Sequence, residues 1–139
     1  MQLSEHFSLE ELTHTDHRQY DNTPTDTELA NLVRLANFLE VVKAVLGGKP
    51  IMINSAFRSK QVNAAVGSKD SSQHRTGCAA DIRVPGMTPD EVVKAIIASD
   101  LAYDQVIREH DRWTHVSIAI TIPRKTALII DKSGVRPYA

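Results

Sequence analysis

Cysteine is nearly absent from this sequence: the chain has one, Cys78, which excludes a disulfide within the chain. No apolar run approaches the roughly 20 residues of a membrane-spanning helix, so we expect no membrane insertion. Neither sign of charge dominates, because 16 basic and 17 acidic residues leave a formal net charge of −1. That balance does not favour a nucleic acid or a membrane surface as a partner. The first residues also lack the basic and apolar regions of a secretory signal peptide, so we expect synthesis in the cytoplasm.

The chain does contain enough apolar residues to build a core. They make up 42% of 139 residues, which is typical of a soluble globular protein and predicts one domain over residues 1–139. Helical and strand-like patterns are mixed along the chain. This mixture favours the α+β class, with helices packed on a small, mainly antiparallel sheet.

Three helix starts are marked by capping signals. Ser8 and Thr88 each precede a glutamate by three residues, which is the spacing of a capping box. Thr25 or Asp26 precedes the longest run of apolar residues at helical spacing, which predicts the main helix of the protein. The pair Gly47-Gly48 ends that helix. Residues 13–25 predict a loop and residues 59–66 a short helix.

Strand-like patterns fill the spaces between these helices. Strands are predicted at residues 51–56, 79–84, 105–109 and 113–120, with an edge strand at 126–130 and a tail at 131–139. The loop 110–112 has a common hairpin length, so the strands on either side of it should pair with each other. If residue 109 faces 113 across that hairpin, residue 107 faces 115.

Two histidines and one aspartate form a candidate metal site. Alternation along a strand puts His115 on the same face as Trp113, and Asp81 can join His115 if their strands lie close together. His74 would come from the loop before Asp81, which Gly77 lets fold back tightly. Such a set binds zinc with one coordination position left free, as in catalytic sites. Taken singly, the two histidines would be an ordinary loop residue and a core residue.

Other residues of metal-binding type are weaker candidates. Cys78 could close the site as a fourth ligand, but a buried free cysteine is the commoner case and is what we expect. His6, His14 and His17 could form a second metal site in the N-terminal region, yet solvated loop histidines are far more common. The sequence therefore predicts one zinc ion.

The same residues resemble a known family. The stretch from Ser72 to Asp81 matches the S-x-H-x-x-G-x-A-x-D motif of the D-alanyl-D-alanine carboxypeptidase-like zinc peptidases. The segment 109–115 is similar to that family's distal segment, where an acid precedes an aromatic residue and a ligand histidine. Segment 54–59 is similar to the one that carries a substrate-binding arginine, here Arg58. The resemblance implies a hedgehog/DD-peptidase-like fold and a zinc ion bound by His74, Asp81 and His115.

A zinc hydrolase also needs a base to take the proton of the attacking water. Glu109 is the first candidate, since the hairpin makes it a diagonal, same-face neighbour of His115, about 7 Å away between backbones. Asp111, at the tip of the loop, is the second candidate. Several relatives carry the catalytic acid three residues before the last ligand, where this chain has Arg112, so the two candidates stay open at this stage.

The remaining site residues are assigned to the substrate. Arg58 is expected to bind a substrate carboxylate or to stabilise the developing oxyanion through its forked donors. Ser72 is assigned to substrate binding with it. Trp113 either walls the cleft or serves in packing.

The resemblance implies a zinc metallopeptidase that hydrolyses the peptide stems of bacterial peptidoglycan. D-Ala-D-Ala carboxypeptidase, D,D-dipeptidase and L-alanyl-D-glutamate endopeptidase activities all occur on related scaffolds, and the first is our leading expectation. A cell-wall lysis enzyme of phage type, released from the cytoplasm by another route to act on the cell wall, would fit. The alternative is a zinc-containing binding module of the same fold that has lost hydrolysis.

Overall fold

The structure, a computed structural model, describes residues 1–138 and has the expected α+β architecture. Its α-helices are α1 (Leu9–Leu12), α2 (Asp26–Val45), α3 (Lys60–Ala65) and α4 (Pro89–Ala98). Its strands are β1 (Met52–Ser55), β2 (Ala79–Arg83), β3 (Gln105–Glu109), β4 (Trp113–Ser117), β5 (Thr126–Asp131) and β6 (Gly134–Pro137). A 3-10 helix, Gln73–Thr76, precedes β2. Within the described residues, no helix combines the length and the apolar character needed to span a membrane.

The six strands form one sheet in the order β1-β2-β4-β3-β5-β6. Neighbouring strands are antiparallel except β3 and β5, which run parallel, so the sheet is mixed rather than purely antiparallel. The prediction of a tail after residue 130 was wrong for 134–137, which form β6. Residues 131–134 make a hairpin turn instead, with Gly134 at φ +101° and the carboxylate of Asp131 accepting the Ser133 N–H at 2.8 Å. Strand β6, not β5, is therefore the edge of the sheet, and the hedgehog/DD-peptidase assignment stays a prediction.

The parallel pairing of β5 with β3 is anchored by a buried carboxylate at the start of β3. Asp104 accepts hydrogen bonds from the Arg124 guanidinium at 2.6 Å and from the Gln73 side-chain amide at 2.8 Å, and its backbone carbonyl accepts the Thr126 N–H at 3.0 Å. The bonds from Arg124 outweigh burial and lower the pKa of Asp104 to about 2. The 118–125 connection is thereby pinned beside β3, which brings β5 alongside.

Both predicted capping boxes, at Ser8 and Thr88, are present, and Thr25 rather than Asp26 caps α2 with a third. Each of the three caps accepts a backbone N–H three residues on, and the glutamate there returns a bond to the cap. Five apolar residues on one face of α2 are fully buried: Leu32, Leu35, Ala36, Leu39 and Val42. This face of α2 packs with α4 against one face of the sheet, in a core that includes Ala80 and Val116. Alternation then sends the intervening strand residues to the opposite face, where the candidate site lies.

The turn that delivers the chain to β2 lies very close to α2. Gly77 ends the 3-10 helix with φ +80°, and a Cβ at this position would lie 2.9 Å from the Glu28 carbonyl oxygen and 3.1 Å from Leu32 Cγ. Only glycine fits both the backbone conformation and the space. Gly67 offers a contrast, because it has φ +78° but no atom within 4 Å of the same position.

We predict that Gly77→Ala lowers the free energy of unfolding by about 3 kcal/mol, because backbone strain adds to a clash with backbone and core atoms. Gly67→Ala is the matched control and should cost only about 1 kcal/mol, from backbone strain alone. Urea unfolding of the two variants measures the difference. Equal losses would contradict the close approach of the turn to α2.

Candidate metal centre

The sheet register brings two of the predicted ligands face to face. Asp81 on β2 pairs directly with His115 on β4, and His115 pairs in turn with Ile107 on β3. Glu109 pairs with Trp113, so the hairpin register predicted from the loop length is confirmed. Because residues that pair across a sheet share a face, all of these side chains lie on the face opposite the helical core.

His74 reaches the same place from the 3-10 helix. The Ser72 hydroxyl caps this helix and accepts the His74 N–H at 3.2 Å. The ring is held by its Nδ1, which lies 2.7 Å from the carbonyl oxygen of Ala56 just beyond β1. The backbone carbonyl of His74 accepts the Arg58 N–H at 2.9 Å. The histidine is thus fixed at both its backbone and its ring, and its side chain is only 3% exposed.

The structure brings the three predicted ligands together. Asp81 Oδ1 lies 3.3 Å from His74 Nε2 and 3.1 Å from His115 Nδ1. One ligand atom from each residue lies within 4.8 Å of the others, and all three residues are buried. Among the described residues, no other group of histidine, cysteine and carboxylate side chains has this geometry. Cys78 is buried in the core and lies outside the group.

The contacts in this group are suited to a bound cation. A carbonyl oxygen can only accept, so the bond to Ala56 makes His74 Nδ1 the donor and, in the neutral ring, puts the lone pair on Nε2. Burial lowers the pKa of His74 even against the nearby carboxylate. Burial opposes ionisation of Asp81, but positive charge and hydrogen bonds from the two histidines outweigh it and hold its pKa far below the usual value. The buried carboxylate thus depends on positive charge beside it, and His74 Nε2 faces its Oδ1 across 3.3 Å.

A metal ion between these atoms would supply that positive charge and be coordinated by both of them. Two imidazole nitrogens and one carboxylate oxygen are a donor set that zinc accepts. The bond from His74 Nδ1 to a backbone carbonyl is the usual outer contact of a metal-binding histidine, since it fixes the tautomer and the orientation of the ring. With three protein ligands, a tetrahedral site keeps one position for water or substrate.

The structure separates the two candidate bases. Glu109 Oε1 lies 3.9 Å from His115 Nδ1, and its Oε2 accepts the indole N–H of Trp113 at 3.1 Å. Burial, with the charge of Asp81, raises the pKa of Glu109 above its usual value. Asp111 stands at the hairpin tip, mostly exposed and ion-paired with Arg108 at 3.0 Å. Only Glu109 is positioned to exchange protons at the cluster.

Arg58 brings a cation to the same face. It follows β1, is half-buried, and lies close enough to Asp81 and Glu109 for both carboxylates to raise its pKa, although burial lowers it more. Its Nε is buried and has no hydrogen-bond partner in the structure. A desolvated guanidinium with a free donor beside two carboxylates is suited to bind an anionic group.

The other assigned residues have visible structural roles. The Ser72 hydroxyl is engaged in capping the turn that bears His74. The Trp113 ring lies 5.5 Å from the His110 ring, centroid to centroid, and its N–H orients the Glu109 carboxylate. The contribution of Ala56 was missed by sequence analysis. No signal could have identified it, because any residue can supply a backbone carbonyl.

The site residues lie within a region that matches the model of a known protein family. The model of the Peptidase M15 family matches residues 5–117. The chain belongs to the Peptidase M15 family. This membership confirms the resemblance drawn from the motif and supports a hydrolase. The matched M15 region contains the three clustered residues, Arg58 and Glu109, and it ends before β5 and β6. No curated protein matches the chain.

We predict that the protein purified with zinc carries about one ion per chain and that His115→Ala loses most of it, because two ligands hold zinc far less tightly than three. His14→Ala is the control, since His14 is an exposed loop residue paired with Asp16. Elemental analysis of the three proteins measures zinc per chain. Equal content in His115→Ala and the wild type would remove His115 from the ligand set.

Proposed function

We propose that the chain is a zinc peptidase that cleaves the peptide stems of bacterial peptidoglycan, with D-Ala-D-Ala carboxypeptidase as the leading activity. One observation carries the proposal. The buried cluster of His74, Asp81 and His115 has a carboxylate, Glu109, and a guanidinium, Arg58, at its side, in a chain of the Peptidase M15 family. A metal, a base and an anion-binding group are the parts that hydrolysis of a peptide with a free carboxylate requires.

The metal is held in this proposal by His74 Nε2, Asp81 Oδ1 and His115 Nδ1. Zinc bound there would polarise a peptide carbonyl and make a water molecule more acidic. Each ligand atom is already directed to the shared space by a contact of its own. His74 is set by the Ala56 carbonyl, and Asp81 and His115 are set by their direct pairing in the sheet.

Glu109 acts as the general base and then as the general acid. Its carboxylate takes the proton of the attacking water and passes it to the nitrogen of the leaving amine as the peptide bond breaks. A raised pKa suits this double role, because the group must both accept and release a proton near neutral pH. The hydrogen bond from the Trp113 indole keeps Oε2 oriented and leaves Oε1 directed to the cluster.

Arg58 holds the substrate. A forked guanidinium binds a carboxylate with two parallel hydrogen bonds, which suits the free terminal carboxylate of a stem ending in D-alanine. The same group could instead stabilise the oxyanion of the tetrahedral intermediate. The first role favours a carboxypeptidase and the second is compatible with an endopeptidase.

Digestion of purified peptidoglycan, followed by mass analysis of the fragments, tests the function. We predict that the wild type releases free alanine and shortens the stem by one residue. Glu109→Gln should retain zinc and the fold but lose on the order of a hundredfold in activity, because acid–base help is removed. Asp111→Asn is the matched control and should remain active.

Each alternative gives a different result in this digestion. Fragments cut within the stem would mean that the activity is that of an endopeptidase and not of a carboxypeptidase. Peptidoglycan left uncut by zinc-loaded wild type would favour the non-catalytic zinc module. Loss of activity in Asp111→Asn but not in Glu109→Gln would mean that the base is misassigned.

The role of Arg58 is tested with a peptide ending in D-alanine as the free acid and as the amide. We predict that Arg58→Lys lowers kcat/KM about tenfold or more for the free acid and much less for the amide, because the amide has already lost the two-pronged contact. Similar losses on both peptides would assign Arg58 to the oxyanion. Wild-type rates in Arg58→Ala on both would remove it from the site.

A further inference from the structure

We propose that Asn22 is a positioning residue that aims Arg58 at the substrate. This inference rests on the proposed function, because it concerns the group that binds substrate there. Asn22 lies in the polar loop before α2, more than thirty residues from Arg58 along the chain. Nothing in the composition of that loop singles it out.

The side-chain amide of Asn22 holds both peptide units that flank Arg58. Its Oδ1 accepts the N–H of Ser59 at 2.7 Å, and its Nδ2 donates to the carbonyl of Phe57 at 3.1 Å. The first of these groups belongs to the peptide bond after Arg58 and the second to the peptide bond before it. One planar amide therefore restricts the backbone rotation of Arg58 from both sides.

The side chain of Asn22 is itself held in place by a further hydrogen bond. Asn22 Nδ2 also donates to the Thr13 carbonyl at 2.8 Å, so its acceptor and both of its donors are used on backbone groups. The neighbouring Asp21 carbonyl accepts the Ser59 hydroxyl at 2.9 Å. On the other side, the Arg58 N–H is bonded to the His74 carbonyl. The backbone of Arg58 is thus tied to the loop and to a predicted metal ligand at once.

The guanidinium depends on this backbone for its direction. Its Nε has no partner within the structure, so no hydrogen bond at that atom orients the head group. The side chain leaves a fixed backbone, beside Phe57, which is 1% exposed. A shift of the backbone would therefore move the guanidinium away from the carboxylate it binds, and displacements of about 1 Å cost up to a hundredfold in rate.

A double-mutant cycle separates positioning from plain stabilisation. We predict that Asn22→Ala lowers kcat/KM about tenfold when Arg58 is present and less than twofold in an Arg58→Ala background, because its effect passes through Arg58. It should change the same constant, kcat or KM, that Arg58→Ala changes. Zinc content should stay equal to that of the wild type.

Asn63→Ala is the matched control. Asn63 is buried and its side-chain amide also donates to two backbone carbonyls, those of Ser68 and Lys69, neither of which lies in the segment 54–59 that bears Arg58. Any loss of kcat/KM that Asn63→Ala causes should be the same factor with Arg58 present and in the Arg58→Ala background. An equal factor for Asn22→Ala in both backgrounds would overturn the positioning role. If Asn22→Ala does not fold, Asn22→Asp replaces it, since it retains the acceptor for Ser59 and lacks both donors.

A second readout is independent of activity. The Nε–H signal of Arg58 in the nitrogen–proton NMR spectrum can be identified by its loss in Arg58→Lys. We predict that Asn22→Ala shifts or broadens this signal and that Asn63→Ala leaves it in place. An unchanged signal in Asn22→Ala would refute the inference even if peptidoglycan were cleaved. If Asn22→Ala shifts the Arg58 signal but the wild type cleaves no peptide, the positioning of Arg58 by Asn22 is supported and the proposed function is refuted.

Discussion

The hydrogen bond between His74 Nδ1 and the carbonyl of Ala56 is the contact on which the rest of the site depends. It fixes the tautomer of the neutral ring, so that Nε2, 3.3 Å from the Asp81 carboxylate, is the ring atom left to bind a metal. A buried carboxylate is costly unless positive charge lies beside it. The candidate metal centre therefore depends on a constraint on one ring nitrogen as well as on the identity of its three predicted ligands.

The short segment after β1 joins the candidate metal centre to the proposed substrate-binding arginine. Ala56 orients His74 by its carbonyl, and Arg58 bonds back to His74 by its N–H and carries the guanidinium. Asn22 clamps the same segment from the N-terminal loop. Ala56 orients the predicted metal ligand, while Asn22 holds the peptide units on either side of Arg58. A polar loop remote in sequence therefore bears on the proposed substrate-binding residue.

Much of this arrangement was predictable, because local patterns determine it. The loop 110–112 gave the hairpin register, which put Glu109 and His115 on one face, and capping residues gave the helix starts. Strand β6 was not predictable, since its turn residues and its single exposed valine look the same in a free tail. The parallel neighbour of β3 depends on Asp104 binding Arg124, a contact between residues whose proximity no local pattern indicates. The roles of Ala56 and Asn22 rest on backbone hydrogen bonds, which leave no mark on the sequence.

Anomalous X-ray scattering at the zinc absorption edge, from crystals of the zinc-loaded protein, tests the central claim most directly. We predict one peak, within bonding distance of His74 Nε2, Asp81 Oδ1 and His115 Nδ1, with the remaining position taken by water. Glu109 should lie outside the coordination sphere. A peak elsewhere, or a fourth protein ligand that closes the site, would contradict the open three-ligand zinc site.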